Sequence, residues 1–80
     1  MAVLRLFAGA REAAGTGCDD LPGDTVGEVI DAARARYGAP FVDVVEHCQI
    51  WRNGEPAASS DPVSALDEVA VLPPVSGGCR

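Results

Sequence analysis

Eighty residues are enough for one hydrophobic core and no more, since domains form at about 50–200 residues. A hydrophobic content of 48% with 22% charged residues predicts a folded chain, and no apolar run approaches the ~20 residues of a membrane-spanning helix. Twelve acidic against six basic residues give a net charge of −6, which disfavours nucleic acid and anionic membrane as partners and favours a cationic protein surface.

No charged and then apolar leader opens the chain, so the expected address is cytoplasmic. All six basic residues are arginine, which leaves no side-chain amine to receive an isopeptide bond. Cys18, Cys48 and Cys79 are odd in number and show no CxxC spacing, so neither a disulfide framework nor a zinc site is expected.

In chain order, residues 3–8 (Val-Leu-Arg-Leu-Phe-Ala) predict a strand with Leu4, Leu6 and Ala8 on one face and Val3, Arg5 and Phe7 on the other. A short helical turn over Arg11, Glu12, Ala13 and Ala14 follows, closed by Gly15. Residues 16–21 form a polar second strand folded back on the first, ended by the turn dipeptide Pro22-Gly23. Thr25 with Glu28 is a capping box, and Val26, Val29, Ile30, Ala33 and Tyr37 recur at helical spacing. This places a helix at 26–37, with Gly38 as left-handed cap and Pro40 preventing continuation.

Phe41, Val42 and Val45 predict a second short helical turn. Residues 48–52 read as a strand, and Asn53-Gly54 is the strongest short hairpin signal. Residues 55–58 return as an edge strand, as Pro56 suggests. Residues 69–72 are apolar on both faces and therefore central. One long helix flanked by strands argues for an α+β fold with a mixed sheet curled over the helix. The expected core is Leu4, Leu6, Val26, Val29, Ile30, Ala33, Ile50, Val69 and Val71. Residues 1–72 make the domain and 73–80 a flexible tail.

That tail carries the most informative residues: Pro73, Pro74, Val75, Ser76, Gly77, Gly78, Cys79 and Arg80. Two prolines stiffen the exit, and two glycines strip the backbone of side chains. Residues 73–78 span ~20 Å when extended, enough to thread a narrow channel. Other candidates are weaker. His47 and Cys48 are strand neighbours and point to opposite faces, poor geometry for a base and nucleophile. Asp19-Asp20 and Asp67-Glu68 read as solvated edges, not metal sites. Trp51 is open between core and binding anchor.

The opening residues 3–8, the Arg11-Glu12-Ala13-Ala14-Gly15 segment, the Asn53-Gly54-Glu55-Pro56 hairpin and the ending from Asp67 to Gly78 together resemble the MoaD/ThiS family of ubiquitin-like sulfur carriers. The match is closest to MoaD, the small subunit of molybdopterin synthase. The resemblance implies a β-grasp fold and a carrier without catalytic residues or bound cofactor. It implies that Gly78 is adenylated by an ATP-dependent activating enzyme of MoeB/ThiF type and then converted to a thiocarboxylate. Sulfur then passes to the pterin precursor on a MoaE-like large subunit, forming molybdopterin, or to another acceptor enzyme for cysteine, thiamine or a thio-metabolite. Residues 73–77 would dock the tail. A ubiquitin-like protein modifier without sulfur transfer is the alternative. Cys79 and Arg80 depart from the usual Gly-Gly ending and resemble the short extensions that a metalloprotease removes from some carriers of this family.

Overall fold

The computed structural model describes residues 2–73. Among them the elements run β1 (Ala2–Leu6), α1 (Ala8–Ala14), β2 (Cys18–Leu21), α2 (Val26–Tyr37), α3 (Ala39–Val45), β3 (Gln49–Arg52), β4 (Glu55–Pro56) and β5 (Glu68–Leu72). The sheet order is β2-β1-β5-β3-β4. β1 and β5 pair in parallel, and the other pairs are antiparallel. The strand apolar on both faces, β5, is indeed central, and the proline-bearing β4 lies at an edge.

α2 occupies the expected span. The Thr25 hydroxyl accepts from the Glu28 N–H at 3.2 Å, and the Glu28 carboxylate accepts from the Asp24 N–H at 2.9 Å. The reciprocal bond of the cap therefore falls one residue earlier than the capping box predicts. The N–H groups of Val26 and Gly27 donate to the carbonyls of Asp61 and Ser59 at 2.9 and 2.8 Å, so a loop supplies what the helix start lacks. A Cβ on Gly27 would come within 3.0 Å of the Ser59 Cβ, and this close approach explains a glycine in the first turn.

Beside later starts of β2 and β3, at Cys18 and Gln49 instead of residues 16 and 48, three boundaries differ from the sequence reading. Ala8 opens α1 and does not extend the first strand; its φ of 50°, in the left-handed region, turns the chain off the sheet. Gly38 has positive φ, 84°, but ψ of −164°, outside the left-handed cap region. Its carbonyl accepts from Phe41 and Val42, both at 3.1 Å, so Gly38 caps α2 and starts α3 at once. Pro40 accordingly begins a helix, where its missing N–H costs nothing. Among residues 55–58, only Glu55–Pro56 forms strand, and Asn53 and Gly54 both take positive φ, 51° and 85°, as a type I′ turn requires.

All three helices pack on one face of the sheet. Leu4, Leu6, Val69 and Val71 meet Val26, Val29, Ile30 and Ala33 there, all buried. Of the expected core only Ile50 is half-buried, packed against the rest. Phe41, Val45, Leu21, Ala10, Ala2 and Val63 complete the core. Phe41 meets Tyr37 edge to face at a centroid distance of 5.2 Å, locking α3 to the end of α2.

Candidate functional site

β5 lies between β1 and β3 and ends at Leu72, followed by exposed Pro73. The chain thus leaves the fold from the middle of the sheet. Of the expected tail residues, Pro73 is placed at this exit. Pro74, Val75, Ser76, Gly77, Gly78, Cys79 and Arg80 lie outside the described residues.

The sheet face away from the helices surrounds that exit. Cross-strand register puts Trp51, Ala70 and Arg5 in one row, continued by Pro56 on one side and Cys18 on the other. Gln49 and Leu72 form the next row. Phe7 keeps an extended backbone, φ −128° and ψ 153°, and so carries the alternation of β1 one residue further, beside Leu72. It is 41% exposed. The Trp51 indole N–H donates to the Gln49 side chain at 3.1 Å, which satisfies its polar atom and leaves an apolar ring on the sheet surface. The question left open by the sequence is answered: Trp51 is half-buried on the outer face. Phe7, Trp51 and Leu72 therefore form an apolar surface next to the tail exit.

Charges frame this surface. Arg5 pairs with Glu68 across β1 and β5 at 3.1 Å, with both side chains largely solvated, so the pair orients more than it stabilises. The Asp67 carboxylate accepts from the Asn53 amide at 2.9 Å and from the Ser64 N–H at 2.8 Å. The Asn53 bond first, and the Ser64 backbone bond after it, hold Asp67 below the ordinary carboxylate range. The Glu68 N–H in turn donates to the Asn53 side-chain oxygen at 2.9 Å. Asp67 and Glu68 thus clamp the hairpin and the sheet, which is more than the solvated edge their sequence suggested.

Asp19 does the same for α2. It accepts from the Tyr37 hydroxyl at 2.5 Å and pairs with Arg36 at 2.7 Å. The Tyr37 bond chiefly holds its carboxyl low, while burial and the carboxylate together push the Tyr37 phenol up to about 12. Asp20 is exposed on the other face of β2. His47 is exposed, whereas the Cys48 thiol donates to the Val44 carbonyl at 3.2 Å and burial raises it. The two do not form a reactive pair. Among the described residues no three His, Cys, Asp or Glu side chains gather as metal ligands, and no helix is long and apolar enough to cross a membrane. On the helix side, a hollow of about 270 Å³ opens between α2 and the 57–63 loop. Its charged residues, Asp31 and Arg34, pair with each other at 2.6 Å.

A mixed sheet curled over a principal helix, with the chain leaving from the central strand, defines a ubiquitin-like β-grasp protein. Residues 4–78 match the ThiS family, and the chain belongs to that family of small ubiquitin-like carriers and modifiers. It is 39% identical to small archaeal modifier protein 1 of Haloferax volcanii, over 92% of this chain and 97% of that one. The solution structure of the Methanosarcina acetivorans small archaeal modifier protein 1 matches with a TM-score of 0.84 at 30% identity, over 96% of this chain and 95% of that one. The CysO chain of an Amycolatopsis orientalis BexX/CysO complex shares the fold, with a TM-score of 0.79 at 21% identity over 98% of this chain and all of the other.

Proposed function

We propose that this protein is a sulfur carrier whose Gly78 carboxylate is adenylated by an ATP-dependent activating enzyme and converted to a thiocarboxylate. The observation that carries this reading is the exit of the chain from the central strand, beside the apolar surface of Phe7, Trp51 and Leu72, into a Pro-Pro-Val-Ser-Gly-Gly segment. A folded body docks there while a side-chain-free arm reaches for the chemistry. The catalytic groups belong to the partners; the carrier supplies docking and reach. Its resemblance to MoaD makes the pterin precursor of molybdopterin the favoured sulfur acceptor, on a MoaE-like large subunit, with another thio-metabolite pathway as the neighbouring choice. The archaeal modifier relative supports a second reading, in which the activated Gly78 is joined to a lysine of a target protein.

Either chemistry needs a free carboxylate at Gly78, and in the 80-residue chain that carbonyl is held in an amide to Cys79. Removal of Cys79 and Arg80 by a protease is therefore part of the proposal. Three chains test it: full length, Cys79→Ser, and a form ending at Gly78. Only the last should exchange pyrophosphate with an activating enzyme and ATP, and added protease should rescue the other two. Activation of the untrimmed chain that is lost in Cys79→Ser would instead assign the sulfur to the Cys79 thiol. Intact mass from the native host separates the two readings. Replacement of oxygen by sulfur marks the carrier, and an amide to a target lysine marks the modifier.

A further inference from the structure

An activated acyl terminus is an electrophile, and a lysine amine on its own chain is a ready trap for it. The 80 residues contain no lysine: the six basic side chains are all arginine, whose guanidinium stays protonated and does not accept acyl groups. The remaining nucleophiles are poor stable acceptors. The Cys48 thiol is half-buried and donates to the Val44 carbonyl. The Tyr37 hydroxyl is committed to Asp19, and burial together with that bond pushes it up to about 12. Exposed Cys18 forms only a reversible thioester, and exposed His47 only an acyl-imidazole that water cleaves.

The backbone amine is kept away by topology. β1 runs parallel to β5, with Val3 opposite Glu68 and Leu6 opposite Val71. Ala2 therefore lies at the pole where β5 begins, while Pro73 leaves at the pole where β5 ends. Ala2 precedes Val3 and so stands level with Asp67, about six residue rises or roughly 20 Å back from Pro73. Residues 74–78 reach about 17–18 Å at full extension, so even a tail drawn straight back along the whole sheet would stop short of Ala2.

Resting on the function proposed above, we propose that the absence of lysine and the opposed poles together prevent the activated terminus from being captured by its own chain, so that it acylates only an outside acceptor. In the capture that is avoided, an amine nitrogen attacks the Gly78 carbonyl carbon. A C–N bond forms, the bond to the leaving AMP or thiol breaks, and the amine proton passes to solvent.

A chain ending at Gly78, prepared as its mercaptoethanesulfonate thioester, tests this directly; the two omitted residues lie outside the described residues 2–73. The thioester is held at micromolar concentration and pH 8, then treated with hydroxylamine, which cleaves thioesters and spares amides. The parent should yield linear monomer alone. In Arg11→Lys the new amine stands in the last turn of α1, near the pole where the tail leaves. A tether this short gives a local concentration of about millimolar, so hydroxylamine-resistant rings should form about a hundredfold faster than any such product of the parent. Equal yields of amide from both chains, or an Arg11→Lys chain as inert as the parent, would overturn the inference. Because the thioester is made chemically, the result is independent of any activating enzyme. A chain that behaves as expected here yet is never adenylated would refute the proposed function alone.

Discussion

Truncation of Leu4 measures how firmly the sheet register sets the core. Leu4 is fully buried in β1, opposite Val69 on one side and Asp19 on the other, with β1 paired along both edges. Relaxation into the vacated volume is limited, so Leu4→Ala should cost about 3–4 kcal/mol, within the usual range for such changes. A domain of this size has only about 4–12 kcal/mol in total, so the variant loses between about a quarter and nearly all of its stability. At about 4–8 °C per kcal/mol, Tm should fall by roughly 12–30 °C. Thermal and urea unfolding followed by far-UV circular dichroism read this out. Val3→Ala is the matched control, because Val3 is half-buried on the outer face of the same strand. It should cost about 1 kcal/mol or less. A Val3→Ala loss equal to that of Leu4→Ala would mean that β1 presents its other face to the core, and the register would be wrong.

Three further outcomes are expected. Thr25→Ala should lose about 1 kcal/mol through the lost cap on the Glu28 N–H, and Thr25→Ser should retain most of it, by urea denaturation. The single tyrosine should ionise near pH 12 in an absorbance titration at alkaline pH, and Asp19→Asn should move it back toward 10. Because the folded phenol is raised, its contribution to stability is complete below about pH 10 and is lost as pH rises towards 12; the lowered Asp19 contributes above its ordinary range and is lost as acid protonates it. Phe7→Ala and Val75→Ala should each weaken binding to an activating enzyme while shifting thermal stability little, and unchanged affinity in a calorimetric titration would remove that residue from the docking surface.

The local features of the chain were decided by short-range chemistry and are legible without any tertiary information. The bounds of α2 follow from Thr25, Glu28 and the spacing of Val26, Val29, Ile30 and Ala33, since capping and periodicity act within one or two turns. The Asn53-Gly54 turn follows from the two positive φ values that only such residues accept easily, and the apolar run of β5 announces a strand paired along both edges. The Gly-Gly ending, with the start and hairpin motifs, pointed to the carrier family and to Gly78.

What the sequence could not decide depends on residues far apart in the chain. Period-two alternation puts Trp51 on one of two faces, but which face the helices cover is fixed only when β3 pairs with β5. Gly38 and Pro40 look like a helix stop, and they become a helix start because Phe41 and Val45 have a core to enter. Asp19 reads as one of two solvated carboxylates until β2 comes beside the end of α2 and delivers it to Tyr37 and Arg36. The parallel pairing of β1 with β5 is likewise a property of the assembled sheet, since backbone hydrogen bonds in a parallel pair carry no local sequence mark. That pairing sets Ala2 and Pro73, the first and last described residues, at opposite poles.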